Sequence, residues 1–231
     1  VITNGVDLKS FKPLPTTLKS QRPFVCSYIG TIGMAHGLEV VVDAAKILKQ
    51  QGRGDIRFRI VGDGANRSAL ETLARQHDVD DVVTFAGRLP KADMPQVLAE
   101  SDACLIHLKK CDLFETVIPS KIFETMAMQK PIIMGVKGDS ARIVQEARAG
   151  VNMEPDGPES LVKAVTTLAD DRDLTRELGQ HARDYVAQYF NRDTLAQQFL
   201  NVMAIVAGVD ADDDTLRAHE ERGEESCIHS S

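Results

Sequence analysis

Short apolar runs that stop at a glycine alternate along this chain with longer stretches whose apolar residues recur at helical spacing. Phe24 to Ile29 ends at Gly30, Ile56 to Val61 ends at Gly62-Asp63-Gly64, and Val82 to Phe85 ends before Gly87. Between them, Leu38 to Gln50 carries Val41, Val42, Ala45 and Leu48 on one face, and Asn66 to His77 carries Leu70, Leu73 and Ala74. The pattern continues as a helix over Ala92 to Glu100, a strand over Ala103 to Leu108, a helix opened by Pro119, and a strand over Pro131 to Gly135. A helix from Ser140 to Ala149, a short strand over Val151 to Met153 and a helix from Pro158 to Leu168 complete it. Apolar runs of this kind suit strands buried on both faces, and the helices between them supply the crossovers that parallel strands need. The chain therefore reads as α/β: a doubly wound parallel sheet covered by helices on both faces, with right-handed connections.

From Asp173 the pattern is helical, with Leu174, Leu178, Ala182 and Tyr185 on one stripe, then Leu195, Phe199, Val202 and Val206 on a second helix. Residues 1–207 read as one domain. Residues 208–231 are acidic and poor in apolar side chains, a composition that predicts a disordered tail. Val1 to Asp7 reads as a strand entering an Asn-Gly turn. Counting it makes Ala103 to Leu108 the fifth strand, and a strand at the first residue suggests the C-terminal piece of a longer protein.

Composition excludes several classes. A formal charge of -7 argues against a nucleic-acid surface. The four cysteines, Cys26, Cys104, Cys111 and Cys227, form no Cys-x-x-Cys pair, and the first two sit inside apolar runs, so they read as buried reduced thiols of a cytoplasmic protein. No apolar run is long enough to span a bilayer, and no signal peptide is present. The sequence holds no HExxH, no Walker-type loop, no Ser-His-Asp arrangement and no ligand cluster for a tightly held metal, so no metal and no cofactor are expected.

Candidate chemistry gathers where the strands end, because ligands of such sheets bind at the carboxyl edge. Pro119 favours a first helical turn, which would leave the N–H groups of Ser120 and Lys121 free to meet a phosphate. Glu124, about one turn further in, could accept from a sugar diol. On spacing alone, Lys121 is either a phosphate contact or a solvated charge, and Glu124 either a diol acceptor or a first-turn carboxylate. The loop Gly30-Thr31-Ile32-Gly33-Met34-Ala35-His36-Gly37 lets backbone approach a phosphate, with His36 as a donor, though its spacing is not the dinucleotide G-x-G-x-x-G. Arg88 stands at another strand end, where it could flank a base or sit in solvent. Asn66 reads as a helix cap and Asp63 as a turn residue. Lys109 and Lys110 follow the next strand as a solvated or pocket-edge pair.

At these residues the chain resembles the C-terminal half of a family 4 retaining glycosyltransferase, a Rossmann-like half of the GT-B fold. The resemblance runs from Val1 to about Met203. It is carried by Asn4-Gly5-Val6-Asp7, Gly62-Asp63-Gly64, Phe85-Ala86-Gly87, Met94 to Asp102 and, above all, Leu113-Phe114 through Pro119-Ser120-Lys121-Ile122-Phe123-Glu124. That last string is most similar to bacterial transferases that build O-antigen and capsule from amino-sugar donors.

The resemblance implies a half that binds a UDP-sugar donor, with Glu124 on the ribose, Ser120 and Lys121 at the diphosphate, and the Gly30–Gly37 loop facing phosphate. The first glutamate of the family's E-x7-E motif falls at Thr116, with Glu115 one place early, so Thr116 is expected to line the sugar pocket. Thr31 and His36 replace the usual arginine and lysine, which throws weight onto Lys121 and onto Lys109 or Lys110. Gln129 replaces a glycine, a change expected to affect helix termination. The donor-binding set is thus Gly30, Thr31, Gly33, His36, Arg88, Thr116, Pro119, Ser120, Lys121 and Glu124. Catalytic groups and the sugar or lipid-linked acceptor belong to an N-terminal domain absent here, which in this family works at the inner membrane face. Two other readings stand beside it: a UDP-sugar epimerase of the same fold, and a nucleotide-sugar-binding module without transfer.

Overall fold

The computed structural model describes residues 4–14 and 22–208. Its centre is a sheet of six parallel strands: β1 (Phe24–Ile29), β2 (Ile56–Val61), β3 (Val83–Gly87), β4 (Ala103–His107), β5 (Ile132–Gly135) and β6 (Gly150–Asn152). They lie in the order β3-β2-β1-β4-β5-β6. β4 and β5 are buried at every position, which accounts for their unbroken apolar sequence. β2 instead alternates, and Arg59 on its less apolar face donates to Ser27, Ser101 and the Val97 carbonyl.

The described residues form eight α-helices: α1 (Glu39–Gln50), α2 (Arg67–Gln76), α3 (Met94–Ala99), α4 (Lys121–Ala127), α5 (Asp139–Glu146), α6 (Pro158–Asp170), α7 (Arg172–Tyr189) and α8 (Arg192–Ala207). One apolar cluster joins α1, α2 and α6 to the sheet, and a second joins α3, α4, α5 and α7 to its other face. The expected α/β doubly wound, Rossmann-like architecture is therefore present. The strand order reverses between β1 and β4, which opens a crevice at their carboxyl ends.

Four local expectations change. Residues 1–3 lie outside the described residues, and the rest of the expected first strand stays out of the sheet: Val6 forms an isolated parallel bridge with Asn191. Ala103–His107 is consequently the fourth strand, not the fifth. Pro119 precedes the cap of α4 instead of opening its first turn; Ser120 is the capping residue and the Pro119 carbonyl accepts from the Ile122 N–H at 3.1 Å. Asn66 does cap α2 by position, but its side chain is used elsewhere, donating to Glu39 at 2.8 Å and tying α2 to α1. The expected tail beyond Gly208 lies outside the described residues.

The Val6 bridge is part of a clasp. The Val6 N–H donates to the Phe190 carbonyl at 2.9 Å, and the Arg192 N–H to the Val6 carbonyl at 3.0 Å. Arg183 of α7 donates both to the Phe11 carbonyl and to the Ala127 carbonyl that ends α4. Phe123 of α4 stacks on Phe190 with ring centres 4.5 Å apart. The clasp thus fixes the base of the helix whose other end faces the crevice. Beyond it, α8 buries no residue, and Phe199, Leu200, Val202, Met203, Ile205 and Val206 are exposed along it.

Candidate functional site

Two glycine turns shape the crevice. Gly62 holds φ at +146°, and a Cβ there would overlap the Gly30 carbonyl. The loop after β1 and the loop after β2 are therefore layered backbone on backbone. The Gly30 N–H donates to the Val61 carbonyl and the Ile32 N–H to the Asp63 carbonyl, both at 2.9 Å. The result is a cleft of about 390 Å³ lined by Gly30, Thr31, Gly62, Asp63, Arg88 and Met94. Arg88 is exposed at its rim.

α4 contributes from the side. Its regular part spans seven residues, too short for a strong dipole, so the charge at its start comes chiefly from the Lys121 side chain. The N–H groups of Ser120 and Lys121 have no acceptor among the described residues. Lys121 is not the solvated charge that its spacing also allowed. Its amine turns inward, 4.3 Å from the centre of the Tyr28 ring and 3.3 Å from the Tyr28 hydroxyl. That hydroxyl in turn donates to the Thr31 carbonyl at 2.7 Å. Burial pushes the Lys121 amine down from 10.5 to about 8. Glu124 is half-buried and accepts no side-chain hydrogen bond among the described residues; burial raises its carboxyl.

His36 sits in a single tight turn, Met34–His36, between β1 and α1. Its ring meets Tyr28 edge-on at 6.0 Å, and its buried Nδ1 has no hydrogen-bond partner among the described residues. Burial, helped by the nearby Lys121 charge, lowers its pKa. Gly33 lies beside this ring. The turn is braced from below by His107, the last residue of β4. His107 Nδ1–H donates to the His36 carbonyl at 2.7 Å, while Nε2 accepts from the Asp156 N–H at 3.0 Å. Those two backbone partners fix a neutral tautomer, in keeping with a pKa lowered by burial. The Lys109 N–H adds a bond to the Ala35 carbonyl at 2.9 Å.

The structure therefore brings Gly30, Thr31, Gly33, His36 and Lys121 around Tyr28, with Arg88 across the cleft. Thr116 belongs to a different segment, the loop that leads into α4. It is exposed in the loop before α4, between Glu115 and Val117, whose carbonyls accept from Asp139 and Ser140 at the start of α5. Pro119 and Ser120 lead from that loop into α4. Lys109, Lys110 and Glu115 line a separate, smaller hollow with Cys111, Asp112 and Lys137. Sequence reasoning missed Tyr28 and His107. A signal existed for Tyr28, since a hydroxyl inside an apolar strand needs a partner when buried. His107 had none, because its partners are backbone groups from distant loops.

The family model for glycosyl transferases group 1 matches residues 14–185. WcaL of Escherichia coli K12, whose name assigns it to colanic acid biosynthesis, is 24% identical over 201 residues, covering 86% of this chain and 49% of WcaL. The alpha-D-kanosaminyltransferase of Streptomyces kanamyceticus is 24% identical over 78% of this chain and 45% of its own length. Among solved structures, HepE of Anabaena, bound to UDP-glucose, superposes with a TM-score of 0.75 at 22% identity, covering 88% of this chain and 56% of HepE. The chain spans about half the length of the curated relatives it matches.

Proposed function

The chain belongs to the group 1 glycosyl transferases, and on that premise we propose that it is the donor-binding half of a family 4 retaining enzyme that takes a UDP-sugar. An amino-sugar donor and a role in bacterial surface polysaccharide synthesis fit the Leu113–Glu124 string and the relatives named for colanic acid and kanosamine transfer. The observation that carries the reading is the Lys121 amine, turned inward without an ion-pair partner among the described residues and packed on Gly30 of the cleft at the sheet's switch point. A cation so placed suits a diphosphate, and Glu124, at the matching place of the family motif, suits the ribose diol.

In the reaction this half would stabilise the departing diphosphate electrostatically as the sugar gains oxocarbenium character. Groups that position the acceptor would come from a partner domain. Catalytic residues are not assigned to this chain.

Calorimetric titration with UDP tests the reading. The wild-type chain is expected to bind, and Glu124→Ala to weaken binding by about 1.5–3 kcal/mol, the cost of losing charge-assisted hydrogen bonds to a diol. Unchanged affinity in that variant would remove Glu124 from the site. Lys121→Ala is expected to weaken UDP more than uridine, and equal losses would contradict a diphosphate contact.

A further inference from the structure

Two buried titratable nitrogens meet at Tyr28 without the partners that usually accompany them. The Lys121 amine has one polar side-chain neighbour within hydrogen-bonding reach among the described residues, the Tyr28 hydroxyl, and no carboxylate within ion-pair distance. The His36 Nδ1 has none among the described residues. They approach Tyr28 from different elements, Lys121 over the ring face and His36 against its edge. A Cβ added to Gly30 would lie 2.6 Å from the Lys121 amine. The amine therefore packs directly on Gly30, a residue of the cleft lining, in space that any side chain at that position would fill.

We propose that Lys121 and His36 form a single anion subsite that is only partly charged when empty, and that the diphosphate of the donor completes its charge by drawing a proton from solvent onto the Lys121 amine. This deepens the donor-site reading and rests on it. The step is a simple protonation: the amine lone pair takes a proton supplied by buffer, and the new ammonium faces the phosphate oxygens.

The surroundings of Lys121 set the empty state. The Tyr28 phenol of β1, the Cys104 thiol of β4, Glu124 of α4 and His36 of the turn are the titratable groups around it, and His107 is the further one near His36. Cys104 is buried with its thiol raised, so it stays neutral, as does Tyr28. Glu124 is the remaining source of negative charge, and its attraction ranks behind burial. With its amine near 8, Lys121 is mostly neutral at pH 8.5. An oxyanion placed against it favours the charged form and draws the proton in. The UDP terminal phosphate, whose second ionisation lies at about 6, is already fully ionised there and adds no proton of its own.

The experiment is UDP titration of the 231-residue chain by calorimetry at pH 8.5, in Tris and in a buffer of low ionisation enthalpy. The apparent enthalpies are expected to differ by an amount equal to uptake of roughly half to one proton per UDP. Lys121→Met should bind UDP at least tenfold more weakly with no buffer dependence. Lys121→Arg, charged at every accessible pH, should keep most of the affinity and also lose the buffer dependence. UDP binding to the wild type with identical enthalpies in both buffers would overturn the proposal and leave the donor reading standing. Proton uptake that persists in Lys121→Met would overturn it as well. A wild-type chain that binds no UDP in either buffer removes the donor reading and this proposal together.

Discussion

Lys121 holds its place against the interest of the fold. As a residue it keeps some exposure, but its amine is turned onto an aromatic ring and away from any carboxylate. In the unfolded chain it titrates near its ordinary 10.5, and in the folded chain near 8. Between those values the unfolded state carries more protons, so stability rises with pH across that window. Below it the cost is fully present, on the order of 3 kcal/mol. Lys121→Met should therefore raise the urea midpoint at pH 7, and the gain should shrink as pH is taken towards 10. A variant no more stable at pH 7 would show that the amine is better solvated than its packing implies. Gly62→Ala tests the opposite kind of residue. With its φ near +146° and the Gly30 carbonyl in the way, it should lose roughly 1–3 kcal/mol or more. The glycines and Arg88 were legible in the sequence because they follow strand ends, and Lys121 and Glu124 because Pro119 marks a helix start. Tyr28 carried only the signal of a hydroxyl inside an apolar strand, and His107, a brace to backbone atoms of distant loops, carried none.

At the level of elements, period and punctuation carried the reading. All six sheet strands announced themselves as short runs closed by glycine or a turn; burial on both faces explains this for β4 and β5, whereas β2 shows the alternation of a strand with one less apolar face. The errors came where an element's partner is remote. Residues 4–7 resemble a strand but pair with the α7–α8 junction, a contact between opposite ends of the sequence. Pro119 lies one place before the cap of α4, in a loop whose Glu115 and Val117 carbonyls accept from the start of α5, a remote partner that local spacing does not reveal. α8 shows the limit of apolar pattern as a guide to burial. Its hydrophobic residues were legible as a helix, yet none is buried among the described residues. Ile205→Asp combined with Val206→Asp should leave the thermal midpoint nearly unchanged, within about 0.5 kcal/mol of stability per substitution. A large loss would mean that the helix packs on this domain in solution.

For the whole molecule, the architecture separates what this chain could supply from what it could not. A diphosphate site at the switch point is compatible with a domain folded on its own core, whereas an acceptor must be positioned by further surfaces. The chain by itself is expected to bind UDP while transferring sugar slowly or not at all. Brisk turnover of a UDP-sugar by the purified 231 residues would refute the half-enzyme reading. One more consequence follows from the Val6 clasp. Its bridge is parallel, so handles attached before residue 4 and after residue 208 would drag its two sides in opposite senses along their common direction. The bonds at Val6 would be sheared together instead of peeled singly. Under tension in an optical trap, this small seam would bear the load before the central sheet, and its rupture would set the first extension step.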